Sequence, residues 1–477
     1  MRPARFPIDA AIATNRLRVS CSSLGSNRAA REMTRLSVVL LALIFVAGNP
    51  HMVRAQEAVS STGTSGTTSS TSAASSSTTT GELSTGTTAT TTAVTSSSGG
   101  ITPTGGPSGV GVFSQTPVKI SAFISGGYDD NVNTLHTGNQ GSAFTSGNVI
   151  LDYTFGDPRL QLKLNAGGGG SYYYEHVSSQ SYDIDLNGAL GITYKALPRL
   201  TLGSTLLGEY LTEPDFSAPG GLNSRNGNYL YTTDKIFAAY NWSQRFSTKT
   251  SYTFEAYNYD NNTLGAFSNR ISNTFGNEFR FQLVPTTSLD AEYRYEIVTY
   301  DDGSLNSTTH FALGGIDHAF NPLLSASLRG GAEFRSYQNQ GDRNAPYFEG
   351  TVTYALGKRV SVSWGSHYAL EEPGGVAGSQ SRTTFRTGLQ TKFNLTSRIT
   401  SNLDVYFVHD DYHSLSSGMV VTPAFAENTF DGNLSVRYAI TPLFSVQGGY
   451  HYTHLASDSQ FRDYSRNRVF AGVGLTF

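Results

Sequence analysis

From about residue 117 to its end, the chain repeats one pattern, in which stretches of 10–15 residues alternate apolar and polar side chains. Successive side chains of a strand point to opposite faces, so each stretch reads as a strand with one apolar and one polar face. In 399–410, Ile399, Leu403, Val405 and Phe407 oppose Asn402, Asp404 and Tyr406. In 289–297, Leu289, Ala291, Tyr293, Tyr295 and Ile297 oppose Asp290, Glu292, Arg294 and Glu296. In 360–370, Val360, Val362, Trp364, Tyr368 and Leu370 oppose Ser361, Ser363, Gly365 and His367. No stretch of comparable length keeps a helical period of 3.6 residues.

Composition decides where such strands reside. Charged residues make up 14% of the 477-residue chain and apolar residues 38%, with 50 Gly, 27 Tyr and 27 Phe. A typical soluble protein carries roughly 25% charged residues. Low charge combined with Gly, Ser, Thr and Asn excludes a helical cytosolic enzyme and a helical membrane protein. With Lys+Arg 33 against Asp+Glu 36, no basic nucleic-acid binder is expected. One Cys excludes a disulfide scaffold and a thiolate metal site. A polar, aromatic-rich, sparsely charged β chain suits an outer-membrane barrel, where every backbone group must be paired and the sheet must close.

The connections alternate as the strands do. Tight ones fall at Asp157-Pro158-Arg159, Leu197-Pro198-Arg199, Ser243-Gln244, Pro285-Thr286, Asn321-Pro322, Gly357-Lys358-Arg359, Thr396-Ser397-Arg398 and Thr441-Pro442. Longer Gly/Asn/Ser/Asp segments lie near 129–147, 174–181, 213–228, 258–270, 301–307, 337–346, 371–381, 411–427 and 456–465. Eight short turns and nine long loops predict an all-β fold, a transmembrane antiparallel up-and-down barrel of about 18 strands. Around 302–320, Phe311, Leu313 and Ile316 change parity, the mark of a bulge; without that hairpin the count is 16. Aromatic residues gather at both strand ends. Tyr128, Tyr172–Tyr174, Tyr210, Tyr259, Tyr300, Tyr337 and Tyr450 lie toward the long loops. Phe155, Tyr194, Tyr240, Trp242, Phe320, Tyr354, Phe393 and Phe444 lie toward the short turns. Two such belts are expected of interfacial girdles.

The N-terminal quarter follows other rules. Residues 33–55 read as a signal peptide: Arg35 precedes an apolar run from Leu36 to Gly48, and Val53-Arg54-Ala55 resembles a cleavage site. Met33 is then a candidate start and 1–32 an upstream leader. Residues 56–112 are Ser, Thr, Gly and Ala, a linker expected to be disordered for want of anything to bury. The barrel occupies 113–477.

In the last strand, Val469, Ala471, Val473, Leu475 and Phe477 alternate with Arg468, Phe470, Gly472, Gly474 and Thr476. Gly472, Leu475 and Phe477 resemble the C-terminal assembly signal of outer-membrane proteins; Phe470 stands where a polar residue is usual. Together with Gly126-Gly127-Tyr128-Asp129-Asp130-Asn131-Val132 at the first strand, the chain from 117 resembles the putative β-barrel porin families of Gram-negative bacteria. The resemblance implies a bacterial outer-membrane location and no particular substrate. Expected partners are outer-membrane lipid and lipopolysaccharide, the barrel-assembly machinery and small hydrophilic solutes.

The polar face carries twelve Lys/Arg and twelve Asp/Glu. Pore-lining candidates are Lys163, Asp185, Glu209, Arg280, Glu292, Arg294, Arg329, Glu333, Arg335, Arg386, Asp404 and Arg437. A charge on the lipid face costs a few kcal/mol, so these belong inside, where 18 strands leave room for water. Balanced signs argue against strong ion selectivity. The chain has no Gly-x-Ser-x-Gly elbow, no phosphate loop and no His-Glu-x-x-His, so neither an enzyme nor a cofactor is expected. His451 and His454 fall on opposite strand faces. Asp129, Asp130, Asp301 and Asp302, in Asp-rich strand ends, are weak candidates for a divalent-cation ring; turn formation is the plainer account. The function expected is passive diffusion of small hydrophilic solutes. Alternatives are a conduit for polysaccharide export or a structural, adhesive barrel closed by its loops. Of these loops, 129–147, 213–228 and 411–427 are long enough to fold inward.

N-terminal sequencing of the mature protein is expected to begin near Gln56. A mature chain that still carries Leu36–Gly48 contradicts the processing site.

Overall fold

A computed structural model describes residues 118–477 apart from 176–180, 226, 358 and 416–422. The expected leader, signal peptide and linker lie outside the described residues, as do residues 113–117. The strands are β1 (Val118–Asp129), β2 (Ser142–Gly156), β3 (Leu160–Tyr173), β4 (Tyr182–Leu197), β5 (Leu200–Leu211), β6 (Tyr229–Asn241), β7 (Phe246–Tyr259), β8 (Arg270–Val284) and β9 (Thr287–Tyr300). They continue as β10 (Ser307–Asn321), β11 (Leu324–Tyr337), β12 (Arg343–Leu356), β13 (Val360–Glu371), β14 (Ser379–Asn394), β15 (Ile399–Ser414), β16 (Phe425–Ala439), β17 (Phe444–Ser457) and β18 (Tyr464–Thr476). One short helix, α1 (Asn262–Ser268), interrupts the β7–β8 loop.

Each strand pairs antiparallel with the next, and β18 pairs with β1, Ser121 opposite Thr476 and Asp129 opposite Arg468. The 18-stranded sheet is therefore closed, as the alternation predicted. At this seam Phe477 N–H donates to Ile120 O at 2.8 Å, and Phe477 O accepts from Ile120 N–H at 3.1 Å. Gly472 sits there because a Cβ would lie 2.3 Å from the Ile124 carbonyl oxygen.

All eight tight turns fall where the sequence placed them, and side chains of five of them, Asp157, Ser243, Asn321, Thr396 and Thr441, cap the amides that follow. Asp157 Oδ1 accepts from Arg159 N–H at 2.6 Å and Leu160 N–H at 2.7 Å. Asn321 and Thr396 do the same for the two strand-starting amides that follow them. Such side-chain turns satisfy backbone donors that no ladder reaches.

Burial follows parity. On β9, Asp290, Glu292 and Arg294 are buried and Leu289 and Tyr293 exposed. On β15, Phe407 is exposed while Val408 and Asp410 are buried. The hairpin around 302–320 is regular: β10 has no bulge between Ser307 and Ala319, and 18 strands stand. Phe311 and Leu313 face inward there, packed with Tyr347 and Ala369, while Ile316 faces outward. The parity change marks apolar side chains inside the barrel.

Strands also run further toward the long loops than expected; β14 begins at Ser379 and β15 ends at Ser414. Of the loop-side aromatics, Tyr128 and Tyr172 face outward, but Tyr173, Tyr259, Tyr300 and Tyr337 are buried inside and belong to no girdle. The turn-side belt is outward: Phe155, Tyr194, Trp242, Phe320 and Phe444 are all exposed, and Tyr240 packs edge-on against Trp242. No helix of the described residues is long and apolar enough to cross a membrane, and the strands make the crossing.

Leu403→Arg places a charge toward lipid at mid-strand and is expected to cost roughly 2–4 kcal/mol of folding free energy. Asp404→Arg, its inward neighbour, is expected to fold nearly as wild type. Urea-dependent folding into lipid vesicles measures both, and the reverse order of stabilities contradicts the facing.

Candidate functional site: the lumen and its inward-folded loop

All twelve pore-lining candidates stand at inward positions, but they form no single ring. Arg280, Glu292, Arg294 and Arg329 meet on β8–β12. Arg280 pairs with Asp317 at 2.7 Å, Arg294 with Glu292 at 2.7 Å, and Arg329 with Asp290 at 3.0 Å and Glu349 at 3.4 Å. Tyr347 OH donates to Glu349 at 2.6 Å. A second group sits nearer the long loops. Arg335 pairs with Glu372 at 2.8 Å, Arg386 with Glu371 at 2.8 Å, and Glu333 accepts from the Leu370 amide. Lys163, Asp185, Glu209, Asp404 and Arg437 are not drawn into either group; Arg437 donates to Thr476 Oγ1 at 3.3 Å. Extended pairing of opposite charges across strands is what a low-dielectric wall requires of buried ions.

The wall is uneven. Along β8–β15 the inward groups Glu292, Arg294, Arg329, Glu333, Arg335, Glu371, Arg382 and Asp410 are buried. Along β3–β7, Asn165, Asn187, Thr205, Thr233 and Thr253 are only half-buried although they face the inside of a closed barrel.

The loop between β5 and β6, 212–228, crosses the interior. Its backbone is grasped from several walls. Gly220 N–H donates to Glu371 at 2.8 Å, Arg270 donates to Gly220 O at 2.9 Å, and Arg382 donates to Gly221 O at 3.1 Å. Gly220 has φ +70°, a conformation that suits glycine, and a Cβ there would meet the Arg270 guanidinium at 2.6 Å. Asn223 donates to Asp410 at 2.8 Å and Glu427 at 3.1 Å and accepts from Arg382 at 3.2 Å. Tyr464 OH and Tyr257 OH, each at 2.9 Å, donate to Asn223 O and Pro219 O respectively. The apolar side of the loop is held by Leu222, which packs with Leu207, Leu211, Tyr229, Tyr231, Tyr257, Tyr259 and Leu264.

At the loop's root Glu213 binds Arg466 at 2.5 Å and Arg225 at 3.5 Å, with Arg468 at 3.7 Å. Burial works against the Glu213 carboxylate, but Arg225, Arg466 and Arg468 together outweigh it and hold the group well below the usual carboxylate range. Of the three loops expected to turn inward, 213–228 does. Residues of 129–147 join it, with Val132 packed on Phe144, Tyr173 and Phe470, and Thr134 Oγ1 accepting from Arg225 N–H at 3.0 Å. Residues 416–422 of the third lie outside the described residues. Phe470, unusual for an assembly signal, has its reason in that inward cluster.

Sequence reasoning missed Arg270, Glu371 and Glu427 as lining residues because it placed them in loops, and left out Arg382 and Asp410, the end residues of their strands as read there. Extending the parity of Glu278 and Arg386 outward along β8 and β14 finds Arg270 and Arg382. Glu213, Asn223 and Arg225 lie in the loop, where no periodicity speaks.

The four Asp candidates for a cation ring are placed apart and bonded otherwise. Asp129 is fully buried against Arg466 at 2.5 Å, and Asp130 accepts from Asn467 N–H and Nδ2, each at 2.7 Å. Asp301 accepts from Asn269 at 3.3 Å and Asp302 from the Ser304 amide at 3.0 Å. Among the described residues no group of three or more His, Cys, Asp or Glu could hold a metal ion. His451 faces inward onto Asp431 at 2.7 Å, and His454 bonds Ser465 at 2.8 Å on the outer face.

This closed barrel, with its apolar exterior and polar, loop-crossed interior, is a transmembrane β-barrel of the bacterial outer membrane. Residues 371–477 match the model of the family described as Putative beta-barrel porin 2, in keeping with the resemblance seen in the sequence. Among solved structures, the chain is similar to Acinetobacter baumannii OccAB4, with 13% identity over 76% of this chain and 99% of that one, at a TM-score of 0.38. It is similar also to Pseudomonas aeruginosa OccK2 (OpdF), with 12% identity over 76% and 98% of the two chains, at a TM-score of 0.41. No curated protein matches the chain.

A carboxyl held low stabilises the loop at every pH above its ordinary value, and that contribution disappears only as pH falls through the depressed value. Open-channel noise is therefore expected to stay low from neutral pH to about 4, the ordinary carboxylate range, and to rise only below it. Glu213→Gln is expected to be noisy throughout and to expose Arg225 to trypsin about tenfold faster, since breaking a buried ion pair is strongly destabilising. Equal protease resistance in the variant contradicts the latch.

Proposed function

We propose that the protein is a porin-like channel for passive diffusion of small hydrophilic solutes, narrowed by loop 212–228. The observation that carries this reading is the half-exposed polar wall of β3–β7: Asn165, Asn187, Thr205, Thr233 and Thr253 face inward without being packed over. Inward Lys163 and Lys195 are exposed toward the short turns. Ammonium groups so placed need water. The opposite wall supplies paired charge, which leaves little net field along the path. Solutes are thus selected by size and hydrogen bonding more than by sign, and such selectivity as remains fades as salt rises, since screening acts within about 10 Å at 0.1 M.

The twelve lining residues are assigned to this path, and Gly472, Leu475 and Phe477 to recognition by the barrel-assembly machinery. Leu475 and Phe477 support that assignment by lying exposed on the outer face of the seam strand. The outer surface meets lipid and, at the loop side, lipopolysaccharide. No feature of the structure favours polysaccharide export or a sealed adhesive barrel.

Planar-bilayer recording with a salt gradient tests the proposal. The expected outcome is an open, weakly selective pore whose conductance rises when 214–224 is shortened. Silence from both the full chain and the shortened one returns a sealed structural barrel.

A further inference from the structure

Over one part of the short-turn end the inward charges are not balanced. Lys119 lies next to the first residue of β1, and Lys392 and Arg437 lie just before the last residues of β14 and β16. Each shares the inward face of its strand with a buried neighbour, Ser121, Arg386 and Ser435 respectively. All three are half-buried at the turn-side mouth of the barrel.

Arg437 draws them together by reaching across two strands. Its Nη2 donates to Thr476 Oγ1 on β18 at 3.3 Å, and Ser121 Oγ on β1 donates to the same oxygen at 3.4 Å. Ser121 is the next inward residue after Lys119. Lys119 lies within electrostatic reach of both Arg437 and Lys392, and Lys392 within reach of Arg437.

Elsewhere in the wall Arg280, Arg294, Arg329, Arg335, Arg382 and Arg386 each lie against a carboxylate. The turn-side cluster is built differently. Among the described residues, the one carboxylate that acts on it is Asp152, opposite Lys119 across β1–β2. Asp152 Oδ1 already accepts from Asn165 Nδ2 at 2.7 Å. Three cations against one carboxylate leave a surplus of two positive charges. Two buried donors beside them also find no acceptor within the chain: Arg437 Nη1, and Nε2 of Gln447, which stands opposite Arg437 in the β16–β17 register. Gln447 is 6% exposed. Unused buried donors and like charges held together both cost free energy, and an anion among them offsets both.

We propose that Lys119, Lys392, Arg437 and Gln447 form a binding site for a phosphate group, inorganic phosphate or a small phosphate monoester, at the turn-side mouth of the pore. The proposal rests on the channel reading and names a solute class for it. A phosphate dianion matches the surplus of two charges, and its several oxygens can accept from a guanidinium fork, an amide and two ammonium groups at once. A monocarboxylate leaves one charge uncompensated and offers fewer oxygens. Lipid phosphate has no access, because the cluster faces the inside of a closed sheet. The site occupies one side of the mouth and forms no ring, so the pore as a whole stays weakly selective.

The test titrates inorganic phosphate into the full-length protein above the second ionisation of phosphate, by calorimetry in detergent micelles and as current block in planar bilayers. Saturable binding is expected in about 0.1 M KCl, weakening several-fold at about 1 M as screening tightens. Acetate at equal ionic strength is expected to block far less. Arg437→Gln is expected to weaken phosphate binding by about tenfold or more, the usual scale for a hydrogen bond to a charged group, and Arg437→Lys by less. Lys119→Gln removes charge from a half-buried position, so it is expected to fold and to weaken binding as well. Arg245→Gln makes the same charge change at the exposed β6–β7 turn and is expected to bind as wild type. A channel that conducts but neither binds phosphate nor is blocked by it more than by acetate overturns the site and leaves the channel reading standing. Silence in the bilayer counts against the channel alone, and calorimetry then decides the site: binding unchanged in Arg437→Gln and Lys119→Gln overturns it, and binding lost in both supports it.

Discussion

A backbone N–H or C=O left unpaired in hydrocarbon costs several kcal/mol, and no side chain can repair a whole exposed edge. The structure answers with one ladder, β18 against β1, where Phe477 and Ile120 exchange both of their backbone bonds. Everything else presupposes that seam. Closure gives the sheet an inside and an outside. The two-residue side-chain period then sorts apolar groups to lipid and ionisable groups to the interior. Gly472 shows how tight the seam is, since a single Cβ would strike the neighbouring backbone.

Once charges are inside, their own desolvation becomes the next constraint. The wall from β8 to β15 meets it by pairing: Arg280 and Arg329 each lie against a carboxylate two strands away, and Arg294 against Glu292 of its own strand. The wall from β3 to β7 meets it in part by leaving inward groups such as Lys163 and Lys195 exposed and by interposing the half-buried Asn165, Asn187, Thr205, Thr233 and Thr253. Loop 212–228 is held on the paired side by Glu371, Arg382, Asp410 and Glu427 and rooted by Glu213 between three arginines. The ions that neutralise the wall thereby also position the constriction. Latch and lining are one network, so a change in either is felt by the other.

Periodicity carried the reading well wherever one face meets lipid. On β9 and β15 every alternating residue lies on the face assigned to it, and the tight turns fall at their Pro, Asn, Asp and Ser signals, because both are local. The reading weakened toward the long loops. Above the bilayer the outer face has no need to be apolar, so alternation fades although the hydrogen-bonded ladder continues; Arg270, Glu371 and Glu427 were lost for that reason. Tyr259, Tyr300 and Tyr337 were mistaken for girdle residues because a tyrosine at a strand end suits an interface and a loop-supporting interior equally. Phe311 and Leu313 looked like a register fault, since the sequence does not say that part of the lumen wall is packed with apolar side chains.

The sequence by itself determined the barrel, its strand number, its facing and the balance of charge within it. These follow from a two-residue period and turn chemistry acting over a few positions. Tertiary structure alone decided which charges meet, which loop turns inward and what it grasps, because Asn223 and Glu427 are 204 positions apart and touch only after the sheet has closed. Residues on separate strands become neighbours through register, and register around a closed sheet is a property of the whole chain.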